Sequence, residues 1–347
     1  MRYSLPTIVL ALISGIAVAG SLVDWQDYGK QIAPLDHSAT HPCVVYDEEA
    51  FGEGVSDPSR APYYKVYYNH AGTGTYLATS PDGVEFDEKR LVKPGANVPC
   101  VLYDSEGFGG GSPYRMWYAK KFLKEADHHV ISSLEMSESE DGINWKQGKM
   151  LTDDKEYGLV GKSHPLFGAG TYGPLTVLYN AEAPDKLDDT NVMNNKFVMY
   201  YDLYCVFIGE DKSWNIREGV GLAYSTDGRH WKRYGDSMVL MLDPPQGTHI
   251  VDAAVVKRPD GYLMWYLGSV GTKGVRRIGA ATSKNGMNWE NTATSIDHMV
   301  VVDDYKGTYG LSVVYCPEKG LYEMWRGAKA KGEKERYCLM YSTLAAE

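Results

Sequence analysis

The chain has 347 residues, of which 23% are charged and 44% hydrophobic, and its formal net charge is −10 at neutral pH. It contains no block of lysine and arginine residues, so it lacks the electrostatic footprint of a protein that binds nucleic acid or an anionic lipid surface. Its length would allow two domains, but closed β architectures often exceed that length as one unit, so internal repeats must decide.

The first residues have the pattern of a secretory signal peptide. Arg2 supplies a basic start, residues 8–16 form a short apolar run, and Ala17-Val18-Ala19 is a small-residue cleavage site. This pattern predicts a signal peptide over residues 1–19, a single mature domain over residues 20–347, and secretion or delivery to the endomembrane lumen. No later apolar stretch reaches the roughly 20 residues of a membrane span, so the sequence predicts none.

One short motif occurs four times along the chain. Each copy has Ser, any residue, Asp or Asn, and Gly, with an aromatic residue three positions after the glycine. The copies are residues 80–86, 139–145, 225–231 and 283–289. The motif predicts two strands joined by a turn whose glycine has a positive φ, with the aromatic residue packed where sheets meet.

A second motif, a strand of aromatic and aliphatic residues, precedes each turn and occurs a fifth time near the end of the chain. The five copies are residues 64–68, 114–118, 197–201, 262–266 and 322–326. An apolar run before each copy is typical of an inner strand covered on both faces. Four-stranded units of roughly sixty residues repeated around an axis make a propeller, so the sequence predicts an all-β, five-bladed β-propeller.

The fifth unit ends without its turn and its outer strand. Residues 23–27 resemble the missing strand, so we expect the N-terminal strand to join the last blade and close the ring. The alternative is a linear array of β units, whose ends would need caps that the sequence does not show.

The third unit carries two long insertions. They span residues 181–196 and residues 202–219, and the second contains Trp214. Long surface loops on a compact ring usually act as lids or binding loops, although the acidic first insertion equally fits a solvated excursion.

The inner strands of a propeller surround its axis, so residues at their starts are expected to line one central pocket. The candidates are His41 with Thr40, Val98 with Asn97, Gly173 with Tyr172, Asp252 with His249, and Leu311 with Ser312. With 27 tyrosines in the chain, the pocket is expected to be aromatic and to contain His41, His164 and Asp252 as titrating groups. Arg326 replaces an aromatic residue of the second motif, either as a pocket donor or as the partner of a surface carboxylate.

The five inner strands and the Asp-Gly-x-x-Trp motif resemble the five-bladed glycosidase superfamily of glycoside hydrolase families 32, 43 and 62. This resemblance implies an Asp at the start of the first inner strand, a second Asp in a neighbouring blade and a Glu acid in the third. Here the first position is His41, and the third reads Tyr172-Gly173. Hydrolysis needs two carboxylates, so Asp252 would require a loop carboxylate such as Asp36, Asp185 or Asp188 as its partner.

The whole chain, which lacks the expected acid pair, also resembles in its overall sequence character the fungal hetero-Diels-Alderases of tropolone-sesquiterpenoid biosynthesis. The resemblance implies cycloaddition of a tropolone quinone methide to a humulene-type terpene, a mostly apolar and aromatic small-molecule substrate. His41, Tyr172 or His164 would then donate to the quinone methide oxygen, and Asp252 would orient a histidine. The alternatives are a glycoside hydrolase and a non-catalytic carbohydrate-binding propeller.

The sequence predicts neither a cofactor nor a metal site. The five cysteines are Cys43, Cys100, Cys205, Cys316 and Cys338, and no two of them form a CxxC pair. In an oxidising compartment they allow one or two disulfides. His37 and His41 have a spacing that converges on a metal only in a helix, and Pro42 argues against a helix.

Overall fold

The computed structural model describes residues 21–32, 38–53, 57–70, 72–87, 89–124, 130–151, 168–171, 173–208, 214–235, 238–243, 246–270, 275–293, 305–330 and 337–346. The expected signal peptide lies outside these residues, so it stays a prediction. No helix in the described ranges is long and apolar enough to cross a membrane.

The described strands form five blades around an axis, as the repeats predicted. The chain begins with a 3-10 turn (Ser21–Val23) and β1 (Gln26–Gln31), which belongs to the last blade. The first blade consists of β2 (Ala39–Tyr46), β3 (Tyr64–His70), β4 (Gly74–Ser80) and β5 (Arg90–Pro94). The second consists of β6 (Asn97–Tyr103), β7 (Tyr114–Lys124), β8 (Val130–Ser139) and β9 (Lys149–Met150).

The third blade contains β10 (Gly168–Gly170), β11 (Pro174–Tyr179), β12 (Phe197–Ile208), β13 (Trp214–Ser225) and β14 (Lys232–Arg233). The fourth contains β15 (His249–Arg258), β16 (Gly261–Ser269), β17 (Arg277–Ser283) and β18 (Glu290–Asn291). The fifth contains β19 (Tyr305–Cys316), β20 (Leu321–Ala330), β21 (Tyr337–Ala345) and β1. Short 3-10 turns occur at Ala50–Gly52, Pro58–Arg60 and Val192–Asn194, and one α-helical turn at Gly107–Gly110.

The N-terminal strand completes the fifth blade, as expected from the sequence. Strand β1 pairs antiparallel with β21, with Gln26 opposite Thr343. The N–H of Ile32, just after β1, donates to the carbonyl of Leu339 at 3.0 Å, and the Ile32 side chain is fully buried. The outer edge of the last blade is therefore covered by the chain's own beginning.

The turn motif owes its conformation to two side-chain acceptors. In the first copy, Ser80 Oγ accepts the N–H of Gly83 at 2.9 Å, and Asp82 Oδ1 accepts the N–H of Val84 at 2.8 Å. The other copies repeat both bonds, and the four turn glycines have φ between 69° and 81°. These glycines adopt the positive φ that L side chains resist. The connection is longer than a two-residue hairpin, since β4 ends at Ser80 and β5 begins at Arg90.

Each blade is hydrogen-bonded to its neighbour through an aromatic side chain of its second strand. In four blades the donor reaches the carbonyl of the turn glycine in the neighbouring blade. These bonds are Tyr67 to Gly142 at 3.0 Å, Trp117 to Gly228 at 2.7 Å, Tyr200 to Gly286 at 2.8 Å, and Trp325 to Gly83 at 2.8 Å. The fifth blade lacks the turn, and there Trp265 donates to the carbonyl of Leu22 at 2.7 Å. The N-terminal segment therefore replaces the missing turn as well as the missing strand.

The aromatic residues sit mainly between the blades. Trp117, Trp265, Trp325 and most tyrosines of the second strands are fully buried in clusters that join neighbouring sheets. This placement uses tyrosine and tryptophan as interior packing with a polar group that finds a carbonyl.

We expect Tyr67→Phe to lower the free energy of unfolding by about 1 kcal/mol, because it removes the donor from the neighbouring blade and leaves the Gly142 carbonyl with the Trp145 indole N–H alone. The measurement is urea denaturation. Tyr315→Phe is the control, since the Tyr315 side chain is 42% exposed and its hydroxyl can bond to water. Equal effects of the two substitutions would contradict the role given to the interblade bond.

Candidate active site

A β-bulge interrupts each of the five inner strands at the same level. Between Thr40 and Cys43, strand β2 has one more residue than the segment of β3 that it pairs with. The same irregularity occurs in β6, β11, β15 and β19. His41 and Val98 lie in these bulges with φ of 48°, a conformation unusual for residues other than glycine. Bulges redirect side chains out of the regular pleat, and here they turn them towards the axis.

The redirected residues line a cavity of about 290 Å³. Its wall is formed by His41, Asn69, Val98, Gly173, Leu175, Asp202, Glu218, Val251, Asp252, Arg276 and Tyr309. Among the described residues of this wall, Tyr309 is the single tyrosine, phenylalanine or tryptophan, so the described lining is less aromatic than the sequence led us to expect. The tyrosines are instead used between the blades, and the cavity is rich in ionisable groups.

The cavity brings together three carboxyl groups, Asp202, Glu218 and Asp252. All three are buried, with residue exposures of 2%, 6% and 5%. The sequence-based inference that the pocket has a lone carboxylate is therefore wrong.

Two of these carboxyl groups come from the segment that the sequence presented as a surface insertion. Instead of a loop, residues 202–208 and 214–219 extend β12 and β13 as one long antiparallel pair. Asp202 lies opposite Val220 in this ladder, so Asp202 and Glu218 are diagonal neighbours on one face. The backbone N–H of Asp202 donates to the carbonyl of Gly173 at 3.0 Å, which holds the pair beside the inner strand.

Asp202 and Glu218 share a hydrogen bond and retain protons more strongly than ordinary carboxyl groups. Burial raises the pKa of Asp202 well above its usual value, and the neighbouring Glu218 and Asp252 raise it further. Burial raises the pKa of Glu218 to about 7, although Arg276 opposes this shift. Of the two groups Asp202 therefore holds its proton more strongly, and it donates to Glu218 in their shared hydrogen bond.

Asp252 has a different environment from the other two carboxyl groups. Its Oδ2 accepts the backbone N–H of Gly310 at 3.0 Å and lies 3.9 Å from Nη1 of Arg276. Its Oδ1 lies 3.9 Å from Nε2 of His41. A backbone donor and a fixed cation therefore surround Asp252, whereas Asp202 and Glu218 form a buried pair of acids.

Of the four residues expected to be catalytic, His41 and Asp252 line the cavity, while His164 and Tyr172 lie outside the described residues. The expected binding residues Thr40, Asn97, His249, Ser312 and Arg326 are absent from the described wall. Trp214 begins β13, and its side chain lies outside the described part.

Several of these binding candidates have structural contacts instead. Ser312 accepts the N–H of Val44 at 2.9 Å between two blades, and Asn97 donates to the carbonyl of Gly95. His249 is buried beside Glu218 and contacts Thr248. Arg326 is fully buried rather than at the surface.

Two of the loop carboxylates proposed as partners of Asp252 have other contacts, and the third, Asp36, lies outside the described residues. Asp188 accepts backbone N–H groups within its own loop, and Asp185 pairs with Lys196. Four cysteines, Cys43, Cys100, Cys316 and Cys338, are free thiols, so none of them forms the disulfides that the sequence allowed. Within the described ranges, no group of three or more His, Cys, Asp or Glu side chains is arranged to hold a metal.

Asp202 and Glu218, which the sequence analysis missed, occupy repeat positions that also line the cavity in other blades. Asp202 directly follows the second motif of its unit, and Asn69 occupies the same position in the first unit. Glu218 stands seven residues before the turn serine Ser225, just as Arg276 stands seven residues before Ser283. All four line the cavity, so aligning the repeats by the turn serine identifies them.

Comparison with known proteins places the chain by its fold. No family model matches it, and no curated protein sequence does. A glycoside hydrolase structure matches with a TM-score of 0.60 at 18% identity over 92% of both chains. A thermostable family-43 glycoside hydrolase matches with a TM-score of 0.56 at 16% identity over 92% of this chain and 94% of that one.

The arabinanase Arb43A of Bacillus subtilis matches with a TM-score of 0.53 at 12% identity, over 90% of this chain and 96% of that one. At such identities these similarities establish the fold alone. They confirm the expected all-β propeller fold, and they give the hetero-Diels-Alderase resemblance no support.

We expect Glu218→Gln to remove a pH dependence of stability. Between pH 4.5 and about 7 the folded protein keeps a proton on Glu218 that the unfolded chain has lost, so the free energy of unfolding falls as pH rises through this window. Relative to the wild type, the variant should gain roughly 2 kcal/mol between about pH 5 and about pH 8. Urea denaturation across that range measures it, and a constant difference would contradict the raised pKa.

Proposed function

We propose that this protein hydrolyses glycosidic bonds in its axial pocket. The observation that carries the proposal is the meeting of Asp202, Glu218 and Asp252 in one buried cavity. Glycoside hydrolysis uses one carboxyl group that holds a proton and a second that is ionised; Glu218, with its raised pKa, fits the first role, and Asp252, which accepts the Gly310 N–H, fits the second.

The Asp202 and Glu218 pair would act as the acid. Glu218, with a pKa raised to about 7, is protonated often enough at neutral pH to donate to the oxygen of the departing sugar. Asp202 keeps Glu218 in a hydrogen bond and lies too deep in the wall to ionise readily. Proton donation from Glu218 to the leaving oxygen lowers the cost of breaking its bond to the anomeric carbon.

Asp252 would provide the negative charge on the other side of the reaction. A glycosyl transition state carries positive charge on its ring, which an ionised carboxylate stabilises. The Gly310 N–H and Arg276 hold one Asp252 oxygen in place, so the second oxygen is available to the reacting centre. The fold similarity to glycoside hydrolases agrees with this chemistry.

The cycloaddition suggested by the sequence needs a dry pocket that aligns two apolar partners. Seven of the eleven residues in the described wall have polar or ionisable side chains, and desolvating these for an apolar terpene would be unfavourable. Hydrolysis of a sugar substrate, whose hydroxyl groups can hydrogen-bond to such a wall, fits the lining better.

We expect the purified protein to release 4-nitrophenol from at least one member of a panel of 4-nitrophenyl glycosides that includes the α-L-arabinofuranoside. The rate should fall as pH rises through about 7, because the acid loses its proton. Glu218→Gln should lower kcat by roughly 10² to 10⁴-fold on an alkyl glycoside, whose leaving group needs the proton. The loss should be smaller on a 2,4-dinitrophenyl glycoside, whose leaving group does not.

Glu290→Gln is the matched control, because Glu290 is exposed on the outer strand β18 and should not alter kcat. Saturable binding of sugars without turnover of any panel member, or of arabinan and fructan, would contradict hydrolysis and favour the carbohydrate-binding alternative.

A further inference from the structure

The contact between His41 and Asp252 has no role in the chemistry considered so far. Nε2 of His41 and Oδ1 of Asp252 lie 3.9 Å apart, and both residues line the cavity. This distance is too long for a direct hydrogen bond, and polar groups at such a separation are commonly bridged by one water molecule. A water oxygen in the gap on the cavity side of the two atoms would be within hydrogen-bond distance of both.

In each of the two side chains, one polar atom is turned away from the gap and the other faces it. Oδ2 of Asp252 accepts the Gly310 N–H and faces Arg276. Arg276 itself is fixed, since it donates to the carbonyl of Thr308 at 2.9 Å and its guanidinium lies 4.3 Å from the ring centroid of Tyr309. Asp252 is thus held with Oδ1 directed to His41.

The two ring nitrogens of His41 also have different surroundings. Nδ1 of His41 is buried and has no hydrogen-bond partner among the described residues. A buried N–H without an acceptor is costlier than a buried lone pair without a donor, so the proton belongs on Nε2. Burial lowers the pKa of His41. Asp252 raises it and Arg276 lowers it, and the net shift is downward, so the ring is neutral at neutral pH. His41 consequently presents one N–H to the gap.

The backbone holds His41 at this distance. His41 lies in the bulge of β2 with φ of 48°, and Gly310 of β19 packs directly against its backbone. A Cβ at position 310 would overlap the Cα of His41, so the close approach of these two strands requires glycine there. Gly310 therefore both donates its N–H to Asp252 and leaves room for the backbone of His41.

We propose that His41 Nε2–H and Asp252 Oδ1 together hold the water that attacks the anomeric carbon. His41 is the positioning residue, which donates to the water oxygen, and Asp252 is the base, which accepts a water proton. The water oxygen bonds to the anomeric carbon while the glycosidic C–O bond breaks, and the departing oxygen takes the proton of Glu218. This inference rests on the proposed function, and because the water attacks directly it requires inversion at the anomeric carbon.

The first test is the anomeric configuration of the first product. Proton NMR of the reaction with the most active 4-nitrophenyl glycoside should show the anomer opposite to that of the substrate. Retention would overturn the inference while leaving hydrolysis intact, because it would make Asp252 a nucleophile. Absence of turnover by the wild type would instead refute the proposed function itself.

The second test separates a donor from a proton acceptor at position 41. A glutamine amide N–H can occupy the place of Nε2–H, whereas asparagine reaches only the place of Nδ1. His41→Gln should keep kcat within about 5-fold of the wild type, and His41→Asn should lower it by roughly 10²-fold with KM within about 2-fold. Equal losses in the two variants would overturn the role of His41 as donor.

His230→Gln serves as the control, because His230 is an exposed residue beside Asp227 and should leave kcat unchanged. Thermal unfolding of each variant distinguishes a lost donor from a misfolded blade. A His41→Gln variant that unfolds at the wild-type temperature and yet has the low kcat of His41→Asn would contradict the proposal.

Discussion

Three carboxyl groups in one buried cavity cannot all be ionised, and the chemistry of this protein depends on that constraint. Asp202, Glu218 and Asp252 lose most of their hydration, and Arg276 is the fixed cation of the wall. The pocket resolves the conflict by giving the groups different environments. Asp252 receives a backbone donor and the cation, whereas burial raises the pKa values of Asp202 and Glu218, so these two groups hold protons more strongly than ordinary carboxyl groups.

The propeller fold both forms this cavity and stabilises the ring around it. Bulges in all five inner strands direct side chains to the axis. The blades are linked by buried aromatic donors, one from each second strand, so the ring resists opening around the charged centre. The N-terminal segment supplies the fifth acceptor, and the integrity of the pocket thus depends on residues far from it in the sequence.

The fold was predictable because its determinants are local and repeated. The Ser-x-Asp-Gly motif specifies a turn through its own side-chain acceptors, and it recurs at intervals that only a ring of similar sheets explains. The site was predictable only in part. His41 and Asp252 follow from the rule that inner strands face the axis, but Asp202 and Glu218 lie on the second and third strands. Their strand extension resembles an inserted loop in sequence, because pairing between distant residues leaves no local mark.

The most direct measurement of the account is the titration of Glu218 in the folded protein. Carbon-13 NMR of protein labelled at the glutamate carboxyl carbons follows each group, and the signal lost in Glu218→Gln assigns this one. The account predicts a midpoint at a pH of about 7, because burial opposes ionisation beside Asp202 and Asp252. A midpoint near the ordinary value of 4.5 would contradict it, since the pocket would then hold no proton to donate at neutral pH.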